Sequence, residues 1–339
     1  MKCCPRCFDD PYLSSSEFPQ SPSSGRCDFC GEADQLLLEP SQLRDLFEPL
    51  VAIYEPVADG QPLAELLKSD WALFPRLDSA NASRLLAEIL DDGEIVRLRF
   101  KPSAACHPAN AVVWEKFRAE LLHKNRFFLS TKLDESRLRA LLGYLVAKEE
   151  SIPRSLFRAR LLLGESPFPA SEMGAPPAEQ AGHGRANPPG IPYLYLASTP
   201  ETAIAEVRPH TGELVCVADF QINERMSLAD LRTPRATVSP FVAAGDSEQI
   251  ALLHGDLHFL SAWSDELTRP IVPWAAHIGY LPSQYLCEFV KSCGFSGVIY
   301  RSAMEEGLNL ALFDPNLATV GAVAVYRIDA VKVRSSRLN

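Results

Sequence analysis

The sequence has little that would place the protein in a membrane or on nucleic acid. It contains no run of about 18 apolar residues, the length that a helix needs to span a bilayer, so we expect no membrane span. Lys and Arg number 33 against 43 for Asp and Glu, and the formal net charge is −10. A protein that coats nucleic acid normally has a basic excess, so nucleic acid is not an expected partner. Residues 1–5 also lack the apolar core of a signal peptide, and we expect a cytoplasmic protein.

The length and composition indicate more than one folded unit. At 339 residues the chain exceeds a typical domain, and its content of 47% hydrophobic and 22% charged residues is ordinary for a globular protein. The composition changes twice along the chain. We therefore predict a zinc-ribbon-like segment over residues 1–32, a mainly helical domain over 33–150 and an α+β domain over 151–339.

Hydrophobic periodicity gives a coarse secondary structure for these segments. In the helical domain, residues 94–100 alternate like a half-buried strand, and Ser41 is the candidate N-cap of the first helix. In the last domain short strands alternate with helices, which favours a mixed sheet. The predicted helices lie at residues 41–47, 62–69, 78–90, 111–122, 134–148, 200–207, 237–268 and 283–293, and the further strands at 156–161, 193–197, 213–221, 296–301, 308–313 and 318–332.

Two C-x-x-C pairs stand near the N-terminus, with nineteen residues between them. Zinc takes four thiolates in a tetrahedron, and each C-x-x-C turn can supply two. The surrounding Ser- and Pro-rich segment has too little apolar surface to fold unaided, so a bound metal would supply the missing free energy. We predict a structural Zn²⁺ site made of Cys4, Cys7, Cys27 and Cys30. Unpaired thiols on a tail without fixed structure are the alternative.

Three arginines precede or begin the stretch from Gly184 to Glu206. Arg158 and Arg160 stand two apart on a predicted strand and therefore point to one face, and Arg185 lies in the long segment that follows. A guanidinium group can hold phosphate oxygens bidentately. The three side chains could frame an electropositive pocket in an otherwise acidic protein; surface arginines at strand and loop ends are the alternative.

A tyrosine, a glutamate and a serine follow these arginines. Tyr195 lies on the next predicted strand, where it either stacks on a ligand or belongs to the core. Glu206 has small or apolar neighbours on its helix, and a carboxylate is costly there unless it is paired or hydrogen-bonded. It can pair with Arg208, with His210 or with one of the three arginines above, or it can contact a ribose hydroxyl and stabilise positive charge at an anomeric carbon. Ser302 ends a later hydrophobic strand, where its hydroxyl could donate to a phosphate or an amide.

Taken in order, these residues resemble the RES domain family, which is named for its arginine, glutamate and serine. The resemblance spans about residues 155–330. Ala186 stands where tryptophan is common in the family. The motifs that carry the resemblance are Phe157-Arg158, the loop Gly184-Arg185-Ala186-Asn187-Pro188-Pro189-Gly190, Tyr195 in Leu-Tyr-Leu-Ala, Glu206 in Thr-Ala-x-x-Glu, Ser302 at a strand end, and Asn309 in Asn-Leu-x-Leu-Phe.

The resemblance implies a fold, a reaction and a set of site residues. RES proteins have a mixed sheet like that of ADP-ribosyltransferases and degrade NAD⁺ by hydrolysis or phosphorolysis. The resemblance implies NAD⁺ as substrate, with Glu206 holding the ribose hydroxyls and stabilising an oxocarbenium-like transition state, and Tyr195 stacking on the nicotinamide side. Arg158 and Arg185 would bind the pyrophosphate or its neighbouring groups. The implied catalytic residues are Glu206, Arg158 and Ser302, and the implied substrate-binding residues are Arg185, Tyr195, Arg160 and Asn309.

Residues 33–150 resemble the N-terminal region found ahead of HEPN and RES domains, and residues 124–128 carry part of that likeness. A HEPN-type ribonuclease is therefore an alternative function, with Arg118 and His123 as its R-x4-H pair. Ala119 departs from that pattern, because the HEPN family favours a polar residue after the arginine.

The resemblance also implies a bacterial toxin or defence effector. An unchecked NAD⁺ site would harm its host, so we expect an inhibitory antitoxin, another regulatory protein or an occluded resting state. Residues 164–192 are a candidate lid. Transfer of ADP-ribose to a macromolecule or small molecule, a non-catalytic NAD⁺ sensor and a homo-oligomer all stay open at this point.

Overall fold

The structure is a computed structural model and describes residues 1–21, 23–222, 226–243 and 245–332. Its described residues form two compact units. The first contains Met1–Lys116, Thr131–Asp134 and Thr233–Ala262, and the second contains Phe117–Ser130, Glu135–Arg232 and the chain from Trp263 onward. The predicted boundary at residue 33 falls inside the first unit and the one at residue 151 inside the second. The three-domain division stays a prediction, and residues 333–339 of the predicted last domain lie outside the described residues.

Helices and strands are numbered here in chain order. The helices are α1 Arg44–Val51, α2 Leu63–Trp71, α3 Ser79–Leu90, α4 Ala109–His123, α5 Glu135–Gly143, α6 Pro200–Glu206, α7 Pro234–Thr237, α8 Ser247–Thr268, α9 Ala276–Gly279 and α10 Leu281–Ser292. The strands are β1 Ser24–Gly25, β2 Gln35–Leu36, β3 Tyr54–Pro62, β4 Arg99–Pro102, β5 Leu156–Leu161, β6 Leu194–Ala197, β7 Leu214–Ile222, β8 Leu228–Asp230, β9 Gly297–Arg301, β10 Leu308–Leu312 and β11 Ala318–Arg327.

Aromatic side chains form the core of the first unit. Phe8, from the cysteine segment, is fully buried, and its ring centroid lies 5.8 Å from that of Phe47 in α1 and 5.6 Å from that of Phe74. Phe241 lies 5.0 Å from Phe47 by the same measure. Burial of such large apolar surfaces is strongly favourable. The cysteine segment therefore shares a hydrophobic core with the helices that follow it.

Two local predictions in this unit are wrong. The first helix is preceded by a 3₁₀ turn, Pro40–Leu43, whose cap is Glu39 rather than Ser41. Residues 94–100 do not form one strand, because Ile95–Arg97 is a 3₁₀ turn and β4 begins only at Arg99. The cause of the second error is Asp92, whose Oδ1 accepts hydrogen bonds from the backbone N–H groups of residues 94 and 95 and so favours a turn.

A seven-stranded mixed sheet organises the second unit. Its strand order is β11-β7-β5-β6-β10-β9-β8. The pair β8–β9 is parallel and the other neighbouring pairs are antiparallel. This arrangement confirms the predicted α+β fold with a mixed sheet and helices. Inward-facing side chains form its hydrophobic core, among them Leu156, Leu194, Leu196, Cys216, Ala218, Phe220, Leu310 and Leu312.

The centre of this sheet brings distant parts of the chain together. Ala197 at the end of β6 pairs with Phe157 of β5 on one side and with Asn309 of β10 on the other. Helix α6 begins directly after β6, with the Thr199 side chain accepting a hydrogen bond from the backbone N–H of Thr202 at 3.1 Å. The strand ends and the helix α6 therefore meet at one place on the sheet.

No helix of the described segments combines the length and the apolar character that crossing a bilayer requires.

Candidate functional site

A cavity of about 560 Å³ lies at this meeting point in the second unit. Its volume is within the range of about 300–1,000 Å³ that is typical of small-molecule sites. Strand, loop and helix residues line it together: Phe157, Arg158, Ala159, His183, Gly184, Arg185, Tyr195, Leu196, Ala197, Ala203, Glu206, Val207, Arg208, Ile271, Ala276, Tyr280, Tyr300 and Asn309. The lining includes five of the seven residues predicted to be catalytic or substrate-binding, namely Arg158, Arg185, Tyr195, Glu206 and Asn309.

Two hydrogen bonds hold Glu206 at the end of α6. The hydroxyl of Ser302 donates to Oε1 over 2.7 Å, and Nδ2 of Asn309 donates to the same oxygen over 2.6 Å. Within the described chain Glu206 has no ion-pair partner, and its Oε2 has no hydrogen-bond partner. The described residues therefore do not show the alternative in which Glu206 pairs with Arg208 or His210. Although Ser302 does not line the cavity itself, it contacts the carboxylate that does.

The helix that carries Glu206 is fixed by the turn before β10. The hydroxyl of Thr202 in α6 donates to the carbonyl of Glu306 over 2.9 Å. Gly307 lies so close that a Cβ atom there would be 2.4 Å from Oγ1 of Thr202. Its backbone has φ of 137°, which also favours glycine. The turn thus sets the position of the carboxylate relative to Ser302 and Asn309.

Arg158 brings a half-buried cation to the cavity from β5. Its Nη1 donates to the backbone carbonyl of Tyr195 over 3.3 Å, while its buried Nε has no hydrogen-bond partner among the described residues. Burial, together with the nearby positive charge of Arg160, lowers the pKa of Arg158 to about 10. The side chain therefore stays cationic at neutral pH, and an anion in the cavity would satisfy its remaining donors.

Asn187 and Tyr195 fix the loop that carries Arg185. The Tyr195 hydroxyl accepts from the backbone N–H groups of Ala186 and Asn187 at 2.9 and 3.2 Å, and donates to Oδ1 of Asn187 over 2.7 Å. Nδ2 of Asn187 donates to the carbonyls of residues 182, 188 and 191. Burial raises the pKa of Tyr195 above its ordinary range. The phenol is therefore a neutral anchor for the loop as well as part of the cavity wall.

Gly184 is required where this loop passes Tyr195. A Cβ atom at residue 184 would lie 2.0 Å from Oδ1 of Asn187 and 2.2 Å from the Tyr195 hydroxyl oxygen. Helix α10 supports the loop from the other side, since Nε2 of Gln284 donates to the Gly184 and Asn187 carbonyls at 2.9 and 3.0 Å, and Ser283 donates to the Arg185 carbonyl over 2.6 Å. The motif residues of this loop serve to position Arg185.

The guanidinium of Arg185 contacts both ends of residues 269–280, the segment that follows α8. Nη1 donates to the carbonyl of Arg269 over 2.8 Å, and its central carbon lies 5.1 Å from the centroid of the Tyr280 ring. Arg185 has no carboxylate partner within the described chain. Several donors of its planar fork remain for an anionic ligand.

Arg160 does not line the cavity. It donates a hydrogen bond to the carbonyl of Glu172, and its guanidinium carbon lies 4.2 Å from the centroid of the Phe168 ring. Strand alternation predicted one shared face for Arg158 and Arg160, but the long side chain of Arg160 is held by the segment after β5. Its role in substrate binding stays a prediction that this geometry does not support.

Among the polar and aromatic lining residues, sequence reasoning did not predict His183, Arg208, Tyr280 or Tyr300 as site residues. Tyr300 is buried on β9, and burial, with the neighbouring Tyr195 as a further cause, raises its pKa well above the ordinary range. The alternation of β9 could have identified Tyr300, since it pairs with Asn309. No sequence pattern identifies Tyr280, because its place at the cavity depends on its tertiary contact with Arg185.

The proposed ribonuclease pair is not arranged as a site. Nε of Arg118 forms an ion pair with Glu266, whose carboxylate is 5% exposed and also contacts Arg269. His123 lies exposed at the end of α4. This buried ion pair gives Arg118 a structural role.

The four predicted zinc ligands converge in the first unit. All four Sγ atoms lie within 4.8 Å of one another, and neighbouring pairs are separated by 3.4, 3.5 and 4.0 Å. Zn–S bonds of about 2.3 Å in a tetrahedron place sulfur atoms about 3.8 Å apart. The thiols of Cys4, Cys7, Cys27 and Cys30 therefore fit a tetrahedral metal ion.

The structure is that of a protein with a mixed sheet beside which three arginines and one anchored glutamate line a cavity. The RES domain family model matches residues 155–333. The chain belongs to the RES domain family. A solved structure of the M. tuberculosis MbcT–MbcA toxin–antitoxin complex is similar over 56% of this chain and 92% of that chain, with 14% sequence identity and a TM-score of 0.36. No curated protein matches the sequence significantly.

Proposed function

We propose that this protein is an NAD⁺-consuming enzyme that cleaves the bond between nicotinamide and ribose, as a glycohydrolase or a phosphorylase. The observation that carries the proposal is the carboxylate of Glu206, held in the cavity by Ser302 and Asn309 through one oxygen. Its second oxygen remains available for a ribose hydroxyl. Membership of the RES domain family supports the same reaction.

Cleavage of this bond requires mainly that the enzyme position the ribose and stabilise the charge of the transition state. When the glycosidic bond breaks, its electron pair passes to the ring nitrogen, and the cationic nicotinamide leaves as a neutral molecule. Positive charge then develops at the anomeric carbon, and the fixed negative charge of Glu206 stabilises it. Loss of one preorganised electrostatic contact commonly costs about 2.7–4 kcal/mol of barrier, or roughly 100- to 1,000-fold in rate.

The remaining lining residues suit a dinucleotide. Arg158 and Arg185 have free guanidinium donors that can bind the two phosphates. Tyr195, Tyr280 and Tyr300 give the cavity aromatic surfaces for a flat ring. In this assignment Glu206 carries the chemistry, while the arginines and Tyr195 hold the substrate.

An NAD⁺-degrading enzyme of this kind would act as a bacterial toxin or defence effector. Depletion of NAD⁺ stops metabolism, so the host needs an inhibitory antitoxin or another regulatory partner. Purification of the protein from its native host, followed by mass spectrometry, tests this part of the proposal. A protein that emerges alone and fully active would contradict it.

The reaction is tested with purified protein and NAD⁺, by following nicotinamide release with and without inorganic phosphate. Glu206→Gln keeps the size of the side chain but removes its charge, and we expect its rate to fall by about 100-fold or more. Glu201→Gln is the matched control, because Glu201 lies exposed on the same helix and does not line the cavity. The proposal would be contradicted if the wild type did not turn over NAD⁺, or if the wild type and Glu206→Gln had equal rates.

The same assay separates the alternatives. Transfer of ADP-ribose adds the mass of that group to a protein, nucleic acid or small molecule, whereas hydrolysis releases free ADP-ribose. NAD⁺ binding without turnover would favour a sensor. The ion pair of Arg118 with Glu266 weighs against a ribonuclease, and RNA cleavage that is lost in His123→Ala would revive it.

For the first unit we propose a structural zinc ion bound by the four clustered thiols. Zinc would cross-link the two C-x-x-C turns and stabilise the segment that places Phe8 in the aromatic core. Four thiolates fill the tetrahedral coordination sphere, so no position remains for a substrate or a water molecule. The proposed role is therefore stabilisation rather than catalysis.

A further inference from the structure

Arg208 has an unusual backbone conformation. It follows α6 by two residues and has φ of 50°, in the left-handed region. Helices often end on such a residue, but it is usually glycine, because a Cβ atom is disfavoured there. Pro209 comes next, and the residue before a proline prefers extended backbone. The chain therefore carries an arginine where local geometry favours glycine.

The side chain of this strained residue faces the cavity. Arg208 is a lining residue, as is Glu206 two positions earlier. It is exposed, and its guanidinium has neither a hydrogen-bond nor an ion-pair partner in the part of the chain that the structure describes. Strained backbone clusters at functional sites, where the surrounding structure holds it in place. Strain and cavity position together distinguish Arg208 from an ordinary surface arginine.

The charges of the lining point to an anionic ligand group. Glu206 is the acidic residue among the lining side chains, while Arg158, Arg185 and Arg208 supply three cations. The two phosphates of a dinucleotide can be bound by Arg158 and Arg185. Arg208 then presents a third guanidinium near the carboxylate end of the cavity, and a planar guanidinium binds phosphate oxygens well.

We propose that Arg208 is a third phosphate-binding residue of the cavity, which holds a phosphate group on the Glu206 side. The inference rests on the proposed function. The phosphate can belong to the dinucleotide, or it can be inorganic phosphate that attacks the anomeric carbon. In the second case the C–N bond breaks with its electron pair going to nicotinamide, a phosphate oxygen forms the new bond to the same carbon, and no other reactant is needed.

The test uses Arg208→Gly, which relieves the backbone strain and removes the guanidinium. We expect the melting temperature to stay the same or to rise by about 2 °C. Ala72→Gly is the matched control, since Ala72 ends α2 with φ of 57° and its methyl group carries no charge. Neither variant should lose stability, but only Arg208→Gly should lose function. Arg208→Lys should retain part of it.

Two measurements identify the source of the phosphate. If Arg208 binds the dinucleotide, Arg208→Gly weakens ADP-ribose binding, measured by calorimetry, and raises KM for NAD⁺ by about 10-fold. If it binds the acceptor, the variant instead needs about 10-fold more inorganic phosphate for half-maximal formation of ADP-ribose phosphate. Either result supports the proposal.

Unchanged ADP-ribose affinity together with an unchanged phosphate dependence in Arg208→Gly overturns it. Absence of NAD⁺ turnover by the wild type is a different result, which rejects the proposed function. In that case ADP-ribose binding still tests Arg208, because the binding measurement needs no reaction.

Discussion

Asn309 donates a hydrogen bond to Glu206 over 2.6 Å, and this contact joins strand β10 to the end of helix α6. Ser302 donates to the same carboxylate oxygen over 2.7 Å. Two donors on one oxygen fix the direction of the carboxylate, and the other oxygen has no hydrogen-bond partner among the described residues. The orientation of Glu206 is thus set by residues about a hundred positions later in the chain.

Replacing these donors tests the orientation of Glu206. We expect Asn309→Ala and Ser302→Ala each to lower kcat by about 10-fold, since hydrogen bonds to charged groups contribute about 1.5–3 kcal/mol. Because both donate to one oxygen, the double variant should deviate from additivity. Steady-state kinetics on the four proteins measures the coupling. A double variant with wild-type kcat would show that the carboxylate needs neither donor.

Tyr195 and Tyr193 form a matched pair for the loop anchor. The Tyr195 hydroxyl makes three hydrogen bonds to the Arg185 loop, whereas the buried Tyr193 hydroxyl has no partner among the described residues. Tyr195→Phe should lower the free energy of unfolding by about 2 kcal/mol, and Tyr193→Phe should leave it unchanged or raise it slightly. Urea denaturation measures both. Equal losses in the two variants would contradict the anchoring role.

Metal removal tests the cysteine cluster. Metal analysis of the purified protein should find one zinc per chain, and a chelator should lower the melting temperature of the first unit. Cys30→Ser should lose the metal, while Cys293→Ser should keep it; both cysteines are half-buried, but only Cys30 belongs to the cluster. Full zinc content in Cys30→Ser would remove this residue from the ligand set.

The stability of the first unit should fall at alkaline pH because of His254. Burial opposes the charged imidazolium, but the hydrogen bond of 2.9 Å to Asp70 and its charge outweigh burial and raise the pKa of His254 to about 9. The folded-state pKa lies above the unfolded value of about 6.5, so this stabilisation is complete below pH 6.5 and disappears as the pH rises through 9. It amounts to on the order of 3 kcal/mol.

Urea midpoints at pH 7 and pH 9.5 measure that loss. His254→Gln should remove most of the pH dependence in this window. His258→Gln is the control that should keep it, because partial desolvation and the nearby positive charges of Arg235 and His254 lower the pKa of His258 and take its titration below the window. A wild-type protein that is equally stable at both pH values would contradict the assignment.

Local patterns in the sequence predicted most of the second unit. Strands β6, β9 and β10 lie within one or two residues of their predicted positions, since each is a short apolar run with turn residues beside it. The prediction for residues 94–100 failed because one side chain, Asp92, stabilises a turn that alternation does not reveal. Arg160 is a second example. Strand alternation predicts the face of the sheet on which its side chain begins, but not that the guanidinium contacts Glu172 and Phe168.

The family motifs predicted those residues of the candidate site that belong to the motifs themselves. Arg158, Arg185, Tyr195, Glu206 and Asn309 do line one cavity. The role of Asn187 depends on side-chain hydrogen bonds within residues 182–195 that the motif alone does not reveal. The presence of Tyr280 depends on a contact with Arg185, in a segment nearly a hundred residues away. Arg208 belongs to none of the family motifs, and only its backbone angle and its place at the cavity, both features of the structure, single it out.

The order of these segments along the chain has a consequence for protein synthesis. The ribosome completes β5, β6 and α6 about a hundred residues before it reaches Ser302 and Asn309, the two donors that orient Glu206. Since β10 also fills the centre of the sheet between β6 and β9, the nascent chain lacks both the cavity wall and the aligned carboxylate. An activity that depends on Glu206 is thereby deferred until the chain has passed Asn309, and an inhibitory partner of the proposed kind would have that interval to bind the incomplete chain.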